Sequence, residues 1–260
     1  MTFTADIAES PWGDIPAHEV DAAAAHLRDV LALVVEHTPE QAALVVYDNR
    51  SDLARALAEG YRRNLPGAAF IDFDSVDPSE VLAAFRRLNS ADLVVLIQST
   101  NFRLEAFRIR VELFKLGLKV IEHVHLSRMP GAQGAHYIES LAYDPAYYRG
   151  VGQALKARID GASSATVDSG GETLVFASKL EPAKLNIGDY SGMNNIGGQF
   201  PIGEVFTEAQ DLEAVNGRVR VHVFGDTSYL VTRPATPITL VIERGRVVGA
   251  ETATPEFERL

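Results

Sequence analysis

Short apolar runs alternate with amphipathic segments through the first 160 residues. The apolar runs have the length and composition of strands buried on both faces of a sheet. They lie at 42–47, 68–74, 91–99 and 118–125. Segments with apolar residues at helical spacing lie between and after them, at 20–36, 51–64, from 77 onward, 102–116 and 147–159. Strand and helix in alternation predict βαβ units and a mostly parallel sheet.

The pattern changes after about residue 160. Turn residues and period-two alternation replace the helical spacing, which predicts a mainly antiparallel β domain. Turns are predicted at Asn216-Gly217 and Arg244-Gly245. The glycine-rich stretch 187–203 has no regular period and predicts a long structured loop. The fold class is therefore α/β, with a Rossmann-like domain at 1–160 and a β-rich domain at 161–260.

The end of the sequence bears on the second domain. Thr254 and Pro255 are typical of a helix start, yet few residues follow them. We therefore expect the β-rich domain to be incomplete at its C-terminus.

Composition narrows the function classes. Hydrophobic residues make up 47% and charged residues 23%, as in ordinary globular proteins. The formal charge of -11 disfavours nucleic acid as a partner. The absence of cysteine excludes disulfides and thiol catalysis. No apolar run reaches the ~20 residues of a membrane helix and no secretion signal is present, so we expect a cytoplasmic protein without a membrane partner.

Known nucleotide and nucleophile motifs are missing. The turn after the first strand, YDNRSD, contains no glycine, and no G-x-S-x-G occurs. Metal ligation has more support, because His123 and His125 alternate at the end of a predicted strand and could converge on one ion. The alternative is that one of these histidines packs in the core and the other caps the strand.

The most unusual passage is NNIGGQFPIGEVFT at 194–207. Its glycines permit close approach of the backbone to a ligand, so Asn195, Gly197 and Gly198 are candidate substrate-binding residues. Glu204 is a candidate hard-oxygen metal ligand or general base. The alternative is a well-formed loop in which Glu204 caps the backbone.

This passage resembles the signature of aminopeptidase T, the thermophilic-type, leucyl-aminopeptidase-like metallo-aminopeptidases. Their motif runs roughly N-x-P-x-G/E-E-V-F-T-A-P, matched here by Asn195 upstream and by Pro201 and the run 203–207. The segments 215–217 and 238–251 resemble the same family in order and spacing. The 2,5-dihydroxypyridine dioxygenases are related in fold.

The resemblance implies an α/β domain, a C-terminal metal domain and a homodimer. It implies divalent metal (Zn, Co or Mn) that activates water against the N-terminal peptide or amide bond of a short peptide or small molecule, with Glu204 as the first ligand. A non-haem Fe(II) dioxygenase acting on a small aromatic acid or heterocycle is the alternative enzyme. A non-catalytic relative that binds a small molecule or partner is the alternative outside enzymes.

The sequence departs from the family beyond the 238–251 hairpin. The family's other metal ligands follow that hairpin, and this sequence ends before them. One carboxylate cannot hold a catalytic metal, which needs about three protein ligands. The chain is therefore partial, or has rebuilt its site from His123, His125, Glu204 and His222, or has lost catalysis.

Overall fold

The computed structural model describes residues 11–102, 104, 109–225 and 231–260. The α-helices are α1 Ala17–Asp29, α2 Asp52–Asn64, α3 Pro78–Phe85, α4 Ile109–Lys115, α5 Ala132–Glu139 and α6 Pro145–Asp160. The first eight strands are β1 Ala43–Tyr47, β2 Ala69–Asp72, β3 Leu93–Ile97, β4 Lys119–His123, β5 Ala165–Asp168, β6 Thr173–Phe176, β7 Lys184–Asn186 and β8 Gly197–Phe200. The others are β9 Glu204–Phe206, β10 Val215–Val221, β11 Phe224–Gly225, β12 Val231–Thr232, β13 Ile238–Glu243 and β14 Arg246–Glu251.

Contacts divide the described residues into two compact units. The first contains the chain up to Gly150 together with Asn186–Gly203, and the second contains Val151–Leu185 and Glu204–Leu260. The predicted fold class is confirmed: an α/β region with a parallel sheet is followed by a β-rich region. The domain boundary near residue 160 stays a prediction.

The first unit is built on a parallel sheet of five strands in the order β2-β1-β3-β4-β8. Successive residues of β3 enter two different cores: Val95 and Ile97 pack in one, Val94 and Leu96 in the other. Every residue of β3 is buried. Both faces of the sheet are therefore covered, which explains the unbroken apolar runs in the sequence.

Local signals set the helix starts. The Ser51 side chain accepts a hydrogen bond from the backbone N–H of Ala54, as an N-cap does. Asp77 and Glu80 form a capping box at the start of α3. The helix predicted from residue 102 is described only from Ile109, since 103 and 105–108 lie outside the described residues. The short helix α5 was not predicted.

The second unit contains an antiparallel sheet in the order β14-β13-β10-β6-β5. The hairpin at Arg244-Gly245 is confirmed: both residues have positive φ, 49° and 71°, and they join β13 to β14. The turn predicted at Asn216-Gly217 is wrong, because β10 runs unbroken through both residues. Gly217 has φ of 132°, and a Cβ there would lie 2.3 Å from the carbonyl oxygen of Thr173. This glycine serves close strand pairing.

The stretch 187–203 is only partly a loop. Its end forms β8, which pairs in parallel with β4. The prediction of a long structured loop is therefore wrong for Gly197–Phe200, which forms a strand. Within the described part of the chain, no helix combines the length and apolar character needed to cross a membrane.

Candidate functional site

Glu204 begins β9, and its side chain is exposed. The carboxylate makes no hydrogen bond or ion pair with any described residue, so it does not cap the backbone as the alternative interpretation required. The preceding Gly203 has φ of 123°, and its N–H donates to the carbonyl oxygen of Asn186 over 2.8 Å. A Cβ on Gly203 would lie 2.7 Å from Cε1 of Tyr148. The Pro-x-Gly-Glu turn thus requires its glycine, and the Glu204 carboxylate that follows has no partner among the described residues.

The two glycines proposed to contact substrate belong to β8. Gly197 has φ of 98°, and a Cβ there would lie 1.9 Å from the carbonyl oxygen of Val120 in β4. A Cβ on Gly198 would meet nothing within 4 Å. Gly197 is therefore required by the approach of one strand to the next. Asn195 is exposed. Substrate binding by Asn195, Gly197 and Gly198 stays a prediction.

His123 is fully buried at the end of β4, between two tyrosines. Its Nε2 lies 2.8 Å from the hydroxyl of Tyr61, and its Nδ1 lies 2.7 Å from the hydroxyl of Tyr137. The Tyr137 hydroxyl donates to the carbonyl oxygen of Phe200 over 3.0 Å, so it must accept from Nδ1–H. Nε2 then carries no proton and accepts from the Tyr61 hydroxyl. The hydrogen bonds form one directed chain: Tyr61 to His123 to Tyr137 to Phe200.

Burial keeps this chain uncharged. It lowers the pKa of His123 from 6.5 to about 3. It also raises the pKa of Tyr61 and that of Tyr137 well above the usual value. Both imidazole nitrogens of His123 are already in hydrogen bonds within the core. This agrees with the alternative interpretation of the sequence, in which one of the two histidines packs in the core. In this arrangement His123 offers no lone pair to a metal.

His125 lies beyond the end of β4, in the left-handed region with φ of 60°. The alternation of side chains along a strand, which paired His125 with His123, does not extend to it. Burial, and then the nearby Arg128, lower the pKa of His125. A metal-ligating role for His125 stays a prediction.

The described residues do not supply a complete metal site. Nowhere in the described ranges do three or more histidine or acidic side chains come close enough to share an ion. His136 is exposed on α5 and pairs with Glu139, with 3.2 Å between Nδ1 and Oε2. His222 is exposed in a bend outside the strands, and Asp226 lies outside the described residues. Glu204 is therefore one candidate donor without described partners.

Polar residues at the carboxyl edge of the parallel sheet were missed by the sequence reasoning. The order β2-β1-β3 makes the space between β1 and β3 the switch point of the sheet, where ligands of α/β proteins usually bind. Buried Asp48 accepts hydrogen bonds there from the backbone N–H groups of Ser99 (2.8 Å) and Arg50 (3.0 Å). The hydroxyls of Ser51 and Ser99 lie 2.7 Å apart. The signal was present in the sequence, since Asp48 directly follows β1.

A crevice of about 220 Å³ opens beside these residues, with Asp14 and Asp52 in its wall. The contact with the Asp52 carboxyl raises the pKa of Asp14. Asp52 accepts from the backbone N–H of Asp14 over 2.8 Å and pairs with Arg55, and Asp14 accepts from the N–H of Gly131 over 2.5 Å. Both carboxyl groups therefore already have hydrogen-bond partners, and these contacts stabilise the wall of the crevice.

Comparison with known proteins finds similarity in structure only. No protein-family model matches the sequence, and no curated protein matches it. Among solved structures, the chain is similar to wild-type AmpT from Thermus thermophilus, with a TM-score of 0.52 and 15% sequence identity. The match covers 92% of this chain and 74% of that chain. It confirms a distant aminopeptidase-like fold, as the resemblance to aminopeptidase T implied; at this identity it shows the fold alone.

Proposed function

We propose that this chain acts in a metal-dependent hydrolase of the aminopeptidase T type, in which Glu204 is a metal ligand. The observation that carries the proposal is the Glu204 carboxylate, exposed and without a described partner at the start of β9. It follows a turn that needs its glycine, within the segment that resembles the aminopeptidase T signature. The distant likeness to AmpT supports the same assignment.

The proposed cofactor is divalent Zn, Co or Mn. Glu204 contributes a hard oxygen donor, and the other donors of the site would come from outside the described residues. The proposed substrate is a short peptide or amino-acyl amide, and the proposed assembly is a homodimer. A cytoplasmic location and the absence of a nucleic-acid partner stay predictions from the sequence.

Metal content and hydrolysis test the proposal together. The wild-type protein is loaded with Co(II) or Zn(II), freed of loose ions, and analysed by elemental mass spectrometry and for amino-acid release from amino-acyl amides. We expect one or two ions per chain, as in metal-assisted hydrolases. Glu204→Gln should lose bound metal and reduce hydrolysis by about 100-fold or more.

Glu208→Gln is the matched control. Glu208 is also exposed, lies four residues later, and forms no described side-chain contact. It should keep both metal and activity. Equal behaviour of the two variants, or a metal-free wild type without activity, would refute the hydrolase and favour the non-catalytic relative. Oxygen uptake that depends on Fe(II) and on Glu204 would instead assign the dioxygenase.

A further inference from the structure

A cavity of about 390 Å³ lies at the amino ends of β1 and β2, the edge of the sheet opposite the switch point. Its walls come from the end of α1 and the turn that follows it, the segment before β1, and the connection between α2 and β2. Leu31, Leu65 and several alanines make most of the lining apolar. This size and lining are those of a small-molecule site.

The charge of the wall contrasts with the charge of the protein. Acidic residues outnumber basic ones by 35 to 24 in the sequence, yet none of the described residues that line the cavity is acidic. The one charged residue among them is the basic Arg28. Its Nε donates to Asp29 over 3.3 Å, in a pair exposed enough for water to screen it. The terminal amino groups of Arg28 have no hydrogen-bond partner among the described residues, so an anionic group fits this wall and a cation does not.

His37 in the same wall carries an unsatisfied polar atom. Its Nδ1 is shielded from solvent and has no hydrogen-bond partner among the described residues. Burial, and then the nearby Lys119, lower the pKa of His37, so the imidazole is uncharged near neutral pH. A buried polar atom without a partner is rare in a native protein. The hydrogen-bonding capacity of this nitrogen is therefore not met by the described residues alone.

The backbone beside the cavity is irregular. Val30–Val34 forms a π-helical turn after α1, a feature frequent at functional sites. Glu36 follows in the left-handed region with φ of 49°. The π-helical turn places Leu31 and Ala32 in the cavity wall. Irregular backbone, a cavity and an unsatisfied imidazole nitrogen therefore coincide within ten residues of sequence.

We propose that this cavity binds a small monocarboxylic acid with an apolar body, such as an aryl or branched-chain acid. The apolar body packs against Leu31, Ala32 and Leu65, and the carboxylate pairs with Arg28. The side-chain Nε2 of Gln41, a residue that also lines the cavity, donates a further hydrogen bond to the carboxylate, since Oε1 of Gln41 already accepts from Thr38 and Lys119. The site is independent of Glu204 and of the hydrolase proposed above.

Phenylacetate is the probe, and phenylacetamide is its uncharged match. Binding to the full chain is followed by titration in protein-observed NMR, so that shifted resonances locate the site. We expect saturable binding of phenylacetate with a Kd on the order of 1 mM, the affinity of a ligand of this size. Phenylacetamide should bind about tenfold more weakly, because it lacks the charge-assisted contact.

Two variants and two controls complete the design. Arg28→Gln should weaken phenylacetate about tenfold and leave phenylacetamide unchanged. Ala32→Phe should fill the cavity and abolish binding of both probes. Arg87→Gln, which changes an exposed arginine outside the wall, and Glu204→Gln should both bind phenylacetate like the wild type.

The binding results distinguish support for the proposed site from its refutation. Phenylacetate binding that maps to the cavity, weakens in Arg28→Gln and vanishes in Ala32→Phe supports the proposal. Absence of saturable binding to the wild type, resonance shifts elsewhere, or equal affinities for acid and amide would overturn it. Since Arg28 is exposed, its substitution tests the site without disturbing the core. Loss of binding in Glu204→Gln would refute the independence of the two sites.

Discussion

Replacing Tyr137 by phenylalanine should destabilise the first unit about twice as much as replacing Tyr61. The Tyr137 hydroxyl has two partners: it accepts from Nδ1–H of His123 and donates to the Phe200 carbonyl. Its removal leaves two buried groups without partners, at about 1–3 kcal/mol each. The Tyr61 hydroxyl has one partner, Nε2 of His123. Tyr61→Phe should therefore cost about 1–3 kcal/mol, and Tyr137→Phe about 2–6 kcal/mol.

Equilibrium unfolding in urea at neutral pH measures the difference. The single tryptophan, Trp12, packs against the core of the first unit, so its fluorescence reports on that unit. Tyr147→Phe is the control, because Tyr147 is 62% exposed and should change stability by less than about 0.5 kcal/mol. A loss in Tyr61→Phe equal to or larger than the loss in Tyr137→Phe would refute the assigned imidazole tautomer, because with the proton on Nε2 each tyrosine hydroxyl would have a single partner.

Three further predictions concern the same unit. Because burial lowers the pKa of His123 from 6.5 to about 3, the unfolded chain binds the proton more readily between these values. The free energy of unfolding should thus fall by up to about 4 kcal/mol as the pH falls through that window. In His123→Gln, urea unfolding should show a smaller decrease of this free energy at acid pH. The same decrease in the variant and the wild type would contradict the argument. Gly197→Ala should cost about 3 kcal/mol or more in thermal unfolding, because its Cβ meets the Val120 carbonyl, whereas Gly198→Ala, with open space, should change stability by less than about 1 kcal/mol. Ser51→Ala removes the N-cap of α2 and should lower the free energy of unfolding in urea by about 1–2 kcal/mol. An unchanged free energy of unfolding would show that the cap does not stabilise the helix.

Local patterns predicted much of the α/β region because each of its signals acts over a few residues. The unbroken apolar run at 93–97 is a strand covered on both faces, and Ser51 and Asp77 cap their helices as their positions indicate. The glycines were harder to interpret. Gly217 and Gly197 resemble a turn and a ligand loop in the sequence, but each allows a neighbouring strand to approach. That neighbour is distant in sequence, so no local pattern identifies it.

The candidate site divides in the same way. The segment around Glu204 could be singled out from the sequence, because its spacing of proline, glycine and glutamate is itself the signal. The environment of His123 could not, since Tyr61 and Tyr137 come from helices 62 and 14 residues away along the chain. Strand alternation suggested a pair of metal ligands, and it could not show that tyrosine hydroxyls hold both nitrogens of one histidine.

By itself, the sequence determined the alternation of strands and helices, the change to antiparallel strands, and the segment that presents Glu204. These follow from hydrophobic periodicity, capping and turn chemistry, which depend on neighbouring residues. Only the tertiary structure decided the strand order, the addition of β8 to the parallel sheet, the hydrogen-bonded state of His123, and the cavity at Arg28 and His37. Those features depend on which distant segments meet, and on the cost of burying polar atoms once they have met.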